Sequence, residues 1–390
     1  MNTKITQAVS KIIQNVIKNG DKALSDYTKK FDGVALLPQN FKVPLKTIKE
    51  SALKIDKSLK ASIDFAYKNV KKFHDNEYKN IKKSWNVENG DIITGQKYNA
   101  IESIGIYVPG GRFSYPSSVI MSAVPAKCAG VKRIVMVTPP AKMTDAVLYA
   151  AKICGITEIY TVGGAQAIAA LAYGTKTIKG VNMIVGPGNA YVNEAKRLVF
   201  GKVGIDSLAG PSEVAIIADS GADAEFIVAD ILAQAEHDPM ALAYLFTDSK
   251  QKFDEVKKKL PKEIKSQVKI EYCSQNQAVE FVNDIAPEHL ELLVKNPSVL
   301  AAKIHNAGAV FMGYNTPTAL GDYTAGPSHV LPTEANAKFS SGLSVMTFLK
   351  RISYTQVKNS KNKIYAHTQT FANAEGLEHH ARSAIIRGKK

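Results

Sequence analysis

The feature that most constrains this chain is a rhythm in which short β-branched runs end on glycine- or proline-rich turns and give way to longer helical stretches. Ile104 to Val108 closes on Pro109-Gly110-Gly111, and a helical stretch runs on to Gly130. Arg133 to Thr138 then stops at Pro139-Pro140. A helix from Thr144 to Cys154, a strand at Glu158 to Val162, a small-residue helix after Gly163-Gly164 and a strand at Asn182 to Val185 before Gly186-Pro187-Gly188 continue the pattern. Strands joined by helical crossovers pair in parallel, so this block predicts a doubly wound α/β unit. A second unit begins near Glu213 with EVAIIAD, followed by a helix from Ala222 to about His237, the strand ALAYLFTD, a helix from Lys250 and a strand at Lys269 to Cys273.

Two units agree with length, because the chain has 390 residues and single cores stop growing at roughly 250 to 300. The first hundred residues read as mainly helical and are expected to pack on the second unit. After about Leu343 the rhythm breaks down into a basic, polar loop and one helix from about Gln369. A segment of that size cannot build its own core and must dock elsewhere. The fold class expected is α/β, with two Rossmann-like doubly wound units and a small C-terminal helical tail. One domain combines residues 1–106 with 215–343, the second spans 107–214, and the tail spans 344–390.

Composition excludes several classes. Hydrophobic residues make up 45% and charged residues 22%, which is ordinary globular usage. No apolar run reaches about 18 residues, and the start MNTKITQAVSKIIQNVIKNGDK lacks an apolar core and cleavage site, so no membrane partner and a cytoplasmic location are expected. Cys128, Cys154 and Cys273 are widely spaced and lie in apolar patterns, as reduced core residues do. The net charge of +15 raises the question of nucleic-acid binding. The lysines are scattered, however, and no aromatic-and-basic stretch forms a recognition module, so no nucleic-acid partner is expected. A solvated basic surface accounts for them and would help attract an anionic dinucleotide.

Five places carry chemistry. Gln234 and His237 in AQAEHD stand three residues apart, about 60° from each other on one helical face, and could reach one metal ion; a helix-terminal His is also a common cap or dipole partner. In Ala286-Pro287-Glu288-His289 a carboxylate and an imidazole adjoin, behind a proline suited to the first turn of a helix. Such a pair can abstract a proton and orient water, or be a solvated Glu beside a half-buried His. Gly321-Asp322-Tyr323-Thr-Ala-Gly-Pro-Ser-His329 is a Gly/Pro-rich loop. Its Asp322 offers zinc an oxygen, and His329 could be a ligand, a partner of one, or structural. Glu375 and His379-His380 lie on the terminal helix, where a histidine pair is normally unremarkable, but on a segment that has to dock. Three glycine turns, at Tyr107-Val-Pro-Gly-Gly, Gly163-Gly-Ala-Gln166 and Gly186-Pro-Gly-Asn189, follow strands and let backbone N–H groups approach a phosphate. None completes GxGxxG, since Tyr191 stands where the third glycine would be.

These segments resemble the histidinol dehydrogenase family. YVPGG, SYPSSVIMSAVPAK, GGAQAIAALAYGT, VGPGNAYVNEAK, AGPSEV, AQAEHD, APEHLEL, GDYTAGPSHVLPT, SGLSV, FLKR and AEGLEHH occur in that family's order and approximate spacing, covering nearly the whole chain from Gly20 to His380. The resemblance implies that Gln234, His237, Asp322 and His380 bind one zinc ion per subunit, and that Glu288 and His289 are the acid–base pair. Ser212, Gln234, His237, His289, Asp322, Glu375 and His380 would contact the substrate L-histidinol, and Tyr107, Gln166 and Asn189 would contact NAD. It also implies a homodimer with shared active sites, whose C-terminal tails exchange between subunits. The segment ahead of Gly20 is shorter than in many members, which bears on an N-terminal dimer arm, and Arg112-Phe113-Ser114 departs from their commonest wording.

The reaction so implied is the four-electron oxidation of L-histidinol, through L-histidinal, to L-histidine, the last step of histidine biosynthesis, with two NAD used per turnover. His289 would take the alcohol proton, and Glu288 would help activate water for attack on the aldehyde. No cysteine lies in a site motif, so hydration is preferred to a thiohemiacetal. Two rivals stand beside this reading. A zinc hydrolase would use the same ligands but leave the glycine turns unemployed. A basic binding protein would bind nucleic acid with steep salt dependence.

Overall fold

The computed structural model describes residues 3–110 and 114–388. Arg112 and Phe113, whose wording departs from the family, lie outside the described residues. The chain forms two compact units, one of residues up to 78 with 101–348, the other of 79–100 with 349 onward.

The larger unit holds two five-stranded sheets. The first has the order Glu158–Tyr160, Arg133–Val137, Ser103–Tyr107, Met183–Val185, Gly204–Ile205, with every pairing parallel. The second has the order Val268–Tyr272, Leu242–Thr247, Glu213–Ala218, His289–Leu293, Ala309–Met312, again all parallel. In both, the chain starts at the central strand, winds to one edge, then returns past the centre to build the other. That reversal is the doubly wound topology the sequence rhythm predicted. Every residue of Glu213–Ala218 and of His289–Leu293 is buried, because helices cover both faces of a parallel sheet.

The N-terminal helices differ from expectation. Helix Thr3–Asn19 buries Val9, Ile12, Ile13 and Val16, the spacing of one helical stripe. That stripe and Leu24 of helix Asp21–Asp32 join Val135, Ile168, Ile184 and Val192 in the core of the first sheet, not the second. Helical periodicity identifies a buried face but not the sheet that covers it.

The smaller unit is an antiparallel sheet of Ser84–Asn89, Ile92–Ala100 and Leu349–Val357 in that order, with the helices Ile364–Ala374 and Glu378–Gly388 packed on each other. The tail therefore contains a nine-residue strand and two helices, where a loop and one helix were expected. Strand Leu349–Val357 is largely exposed, so its basic and polar residues hid a strand whose order comes from backbone pairing rather than burial.

Candidate active site

The first sheet presents a cavity of about 750 Å³ at the carboxyl ends of its strands, where the winding reverses. Tyr107 ends the central strand, and its hydroxyl accepts a hydrogen bond from the Gly164 N–H at 3.1 Å. Burial pushes this phenol up to about 12, so it stays neutral. Gly186 has φ 109°, and a Cβ there would lie 2.3 Å from the Tyr107 carbonyl oxygen, so only glycine lets the two turns approach. The turn is fixed from below by Lys196, which donates to the Gly186 carbonyl at 2.9 Å and pairs with Asp206 at 2.5 Å, while Asp206 accepts from the Gly186 N–H. Gln166 is buried with neither side-chain amide atom partnered in the protein. Asn189 caps helix Ala190–Val199 by accepting from the N–H groups of Tyr191 and Val192. Tyr107, Gln166 and Asn189 thus line one cavity, and Lys11, Tyr27 and Asp32 of the N-terminal helices form its other wall. That wall had no sequence signal.

A second cavity, of about 330 Å³, takes residues from both sheets: Gly186 and Pro187 follow a strand of the first, whereas Ser212, Glu288 and His289 lie at the amino ends of strands of the second. Glu288 and His289 do not begin a helix. Helix Gln275–Ile285 ends at Ala286 in the left-handed region, and the buried run His289–Leu293 enters the sheet between Glu213–Ala218 and Ala309–Met312. Five consecutive buried positions outweigh the helix-start signal of Pro287.

Ser212 donates a hydrogen bond to Glu288 Oε2. His289 Nδ1 lies 3.8 Å from the same Glu288 oxygen, and its Nε2 lies 3.8 Å from Asp322 Oδ1. Burial lowers the His289 imidazole to about 4, with Asp322 opposing, and raises the Glu288 carboxyl to about 8, with Ser212 opposing. His329 Nδ1 lies 2.8 Å from the Asp322 carbonyl oxygen. A carbonyl only accepts, so Nδ1 carries the proton and Nε2 is left as an acceptor toward the cavity that His329 also lines.

The remaining candidates are placed as follows. Gln234 is buried in the last turn of helix Ala224–Ala235, its amide nitrogen without an acceptor. His237 lies beyond the helix, which ends at Glu236, and lines the cavity together with Asp322. Asp322 sits not in a loop but in the short helix Thr318–Tyr323. Among the described residues no three His, Cys, Asp or Glu side chains form a group that could hold a metal by themselves. Glu375 and His380 are exposed residues of the smaller unit. Cys154 is buried, while Cys128 and Cys273 are only half-buried, which corrects the reading of all three as core; none lines either cavity.

Two doubly wound sheets that lend opposite edges to one cavity, with a buried acid–imidazole pair in its wall beside a larger cleft on the first sheet, define an α/β enzyme. The family model described as histidinol dehydrogenase matches residues 1–388. Histidinol dehydrogenase of Methanocaldococcus jannaschii is 46% identical over 402 residues, covering 99% of this chain and 93% of its own, and that of Bacillus cereus strain ATCC 14579 is 45% identical over 98% and 92%. The crystal structure of histidinol dehydrogenase from Elizabethkingia anophelis superimposes with a TM-score of 0.91 at 35% identity, over 98% of this chain and 92% of that one. The chain belongs to the histidinol dehydrogenase family and is an oxidoreductase.

Proposed function

We propose that the chain oxidises L-histidinol through L-histidinal to L-histidine, the closing step of histidine biosynthesis, with one zinc ion per subunit and two NAD used in succession per turnover. The observation that carries this reading is the buried pair Glu288 and His289, joined to the half-buried Ser212 and Asp322, on a cavity that also touches the Gly186 turn.

The donors present fit zinc. A carboxamide oxygen, an imidazole nitrogen and a carboxylate oxygen are ligands it accepts, and His237 and Asp322 open on one cavity. Three donors leave a tetrahedral set one short. We assign the fourth to His380, with Glu375 a substrate contact, both supplied by the partner chain of a homodimer. The exposed Trp85, Ile352, Tyr354 and Phe371 of the smaller unit are apolar surface that such a partner would cover. The large cavity would take the dinucleotide, with the Gly164 turn, the Gln166 amide and Asn189 as its polar contacts. When bound, NAD supplies the hydride acceptor and zinc a holding point for the nitrogen atoms of the substrate.

The protein's own groups then divide the proton work. His289, neutral at pH 7 because burial disfavours its charge, takes the proton of the alcohol as hydride leaves the carbon. Glu288 begins protonated for the same reason. A positive imidazolium 3.8 Å from its carboxyl favours the carboxylate by about 4 kcal/mol at an effective dielectric near 20. With the imidazolium beside it Glu288 releases its own proton to solvent through the cavity it lines, and the carboxylate so formed accepts a proton from the water that attacks the aldehyde. His289, once reset, takes the proton of the hydrate in the second oxidation. Burial pushes Cys128 and Cys154 up to about 12 and raises Cys273 as well, which disfavours a thiolate route.

A large cleft at the reversal of the first sheet favours a dehydrogenase over a zinc hydrolase, which has no use for it. Among the described residues no helix is long and apolar enough to cross a membrane; the location proposed is the cytoplasm. The test is reduction of NAD on addition of histidinol, before chelation, after it, and after zinc is restored. Loss and recovery are expected; full activity after exhaustive chelation contradicts the role of zinc.

A further inference from the structure

Two carboxyl groups that the proposed chemistry does not use face each other inside the second sheet's helical layer. Glu291 is fully buried on the strand that begins with His289, two residues on and thus on the same face. Its Oε1 accepts a hydrogen bond from the Thr318 N–H at 2.8 Å, the first residue of the helix that carries Asp322. Its Oε2 is buried with no donor within reach. The group against it is the carboxyl of Asp230, one helical turn ahead of Gln234. Asp230 is half-buried, and two carboxylates are acceptors only, so the hydrogen bond between these two carboxyls requires one proton between them.

We propose that Asp230 and Glu291 share one proton and form a latch that ties helix Ala224–Ala235, strand His289–Leu293 and helix Thr318–Tyr323 together, holding Gln234, His237 and Asp322 at the spacing one ion requires. This rests on the proposed zinc site for its consequence, but not for the latch itself. The two helices are packed directly on each other, so a change at their shared contact moves one ligand-bearing helix against the other. Burial raises both carboxyls, and the charge of Asp230 raises Glu291 further. Among the described residues no other ionisable group bears on either one; Thr318, through its N–H and hydroxyl, is the remaining contact. Asp230 also opens on a cavity of about 360 Å³ beside Tyr314 and Pro317, which gives the pair a route for proton exchange. The pair acts by position and touches no reacting atom. Because the folded chain holds the shared proton more tightly than the unfolded one, this contribution to stability is present at low pH and is lost as pH rises through the titration of the pair.

Glu291→Gln and Asp230→Asn each place a permanent amide N–H where the shared proton stands, whereas Asp230→Ala removes the partner. Thermal midpoints of the metal-free proteins are measured from pH 5.5 to 9.5, and zinc dissociation constants at pH 7 by competition with a chromophoric chelator. The latch predicts that the midpoint of Glu291→Gln falls less with rising pH than that of wild type. It also predicts that Asp230→Ala binds zinc at least tenfold more weakly, and that the two amide variants stay within about threefold of wild type. Parallel pH profiles for wild type and Glu291→Gln would overturn the shared proton, and wild-type affinity in Asp230→Ala would overturn its positioning role. If Asp230→Ala does not fold, the pH profiles and zinc affinities of the two amide variants decide alone. If wild type itself binds no zinc, the metal reading fails, and the comparison of midpoints still tests the pair.

Discussion

His289 Nδ1 lies 3.8 Å from Glu288 Oε2, and burial moves the two neighbours in opposite directions, the imidazole down to about 4 and the carboxyl up to about 8. At neutral pH both are uncharged, which leaves one ready to accept a proton and the other waiting for a charge to release its own.

Glu288→Gln keeps the shape of the side chain and removes the base. Oxidation of histidinal should slow by about 10²- to 10⁴-fold, and oxidation of histidinol by less. The wild-type aldehyde rate, followed as kcat/KM, should rise with pH through about 8 as the carboxylate forms, and that limb should vanish in the variant. Single-turnover measurement of each half-reaction checks this, and equal slowing of both contradicts a water-activating role.

Acid stability depends on His289. Its folded pKa lies below the unfolded value of 6.5, so the folded chain binds fewer protons between about 4 and 6.5. The stability this gives is complete above pH 6.5 and is lost as pH falls toward 4, an effect of at most about 3 kcal/mol. His289→Asn should therefore lose less stability than wild type between pH 7 and 4.5 in urea titrations. Parallel losses would show that the buried imidazole is not the group responsible.

Gln166 predicts a separation of stability from binding. Replacing its two unpartnered buried amide atoms with leucine should leave the fold unchanged or stabilise it by about 1 to 3 kcal/mol. The same change should raise KM for NAD roughly tenfold, because the groups left free in the cavity lose their ligand. A normal KM in a stabilised variant would remove Gln166 from the NAD site.

The doubly wound sheets were legible because each strand is a buried, β-branched run closed by a glycine turn, a local signal that tertiary packing reinforces. The chemistry of Glu288 and His289 was legible from residue type, but not their conformation, since a proline ahead of a Leu-rich stretch that also carries Glu and His serves a helix start and a buried strand equally well. The position of the second cavity was not legible. Reversal of the winding marks the carboxyl edge of a sheet, yet Ser212, Glu288 and His289 stand at the amino edge of theirs. Local sequence also left no mark of the long-range facts: the N-terminal helices on the first sheet, the exposed strand Leu349–Val357 and the contact of Asp230 with Glu291.

Sharing of the site between chains has a quantitative consequence. His237→Ala and His380→Ala should each be inactive, and a dimer with one of each holds one site with both lesions and one with neither. Equal amounts refolded together make half of the dimers mixed, so activity should recover to about a quarter of wild type. Verified heterodimers no more active than either parent would place His380 in its own chain's site or outside the metal altogether.

The most direct measurement is the stoichiometry of oxidation by the purified, zinc-supplemented protein given limiting L-histidinol and excess NAD. The account predicts two reduced nicotinamides and one L-histidine per histidinol consumed, with no free aldehyde detected by a carbonyl trap. A single equivalent with histidinal released, or no reduction of NAD at all, would contradict it.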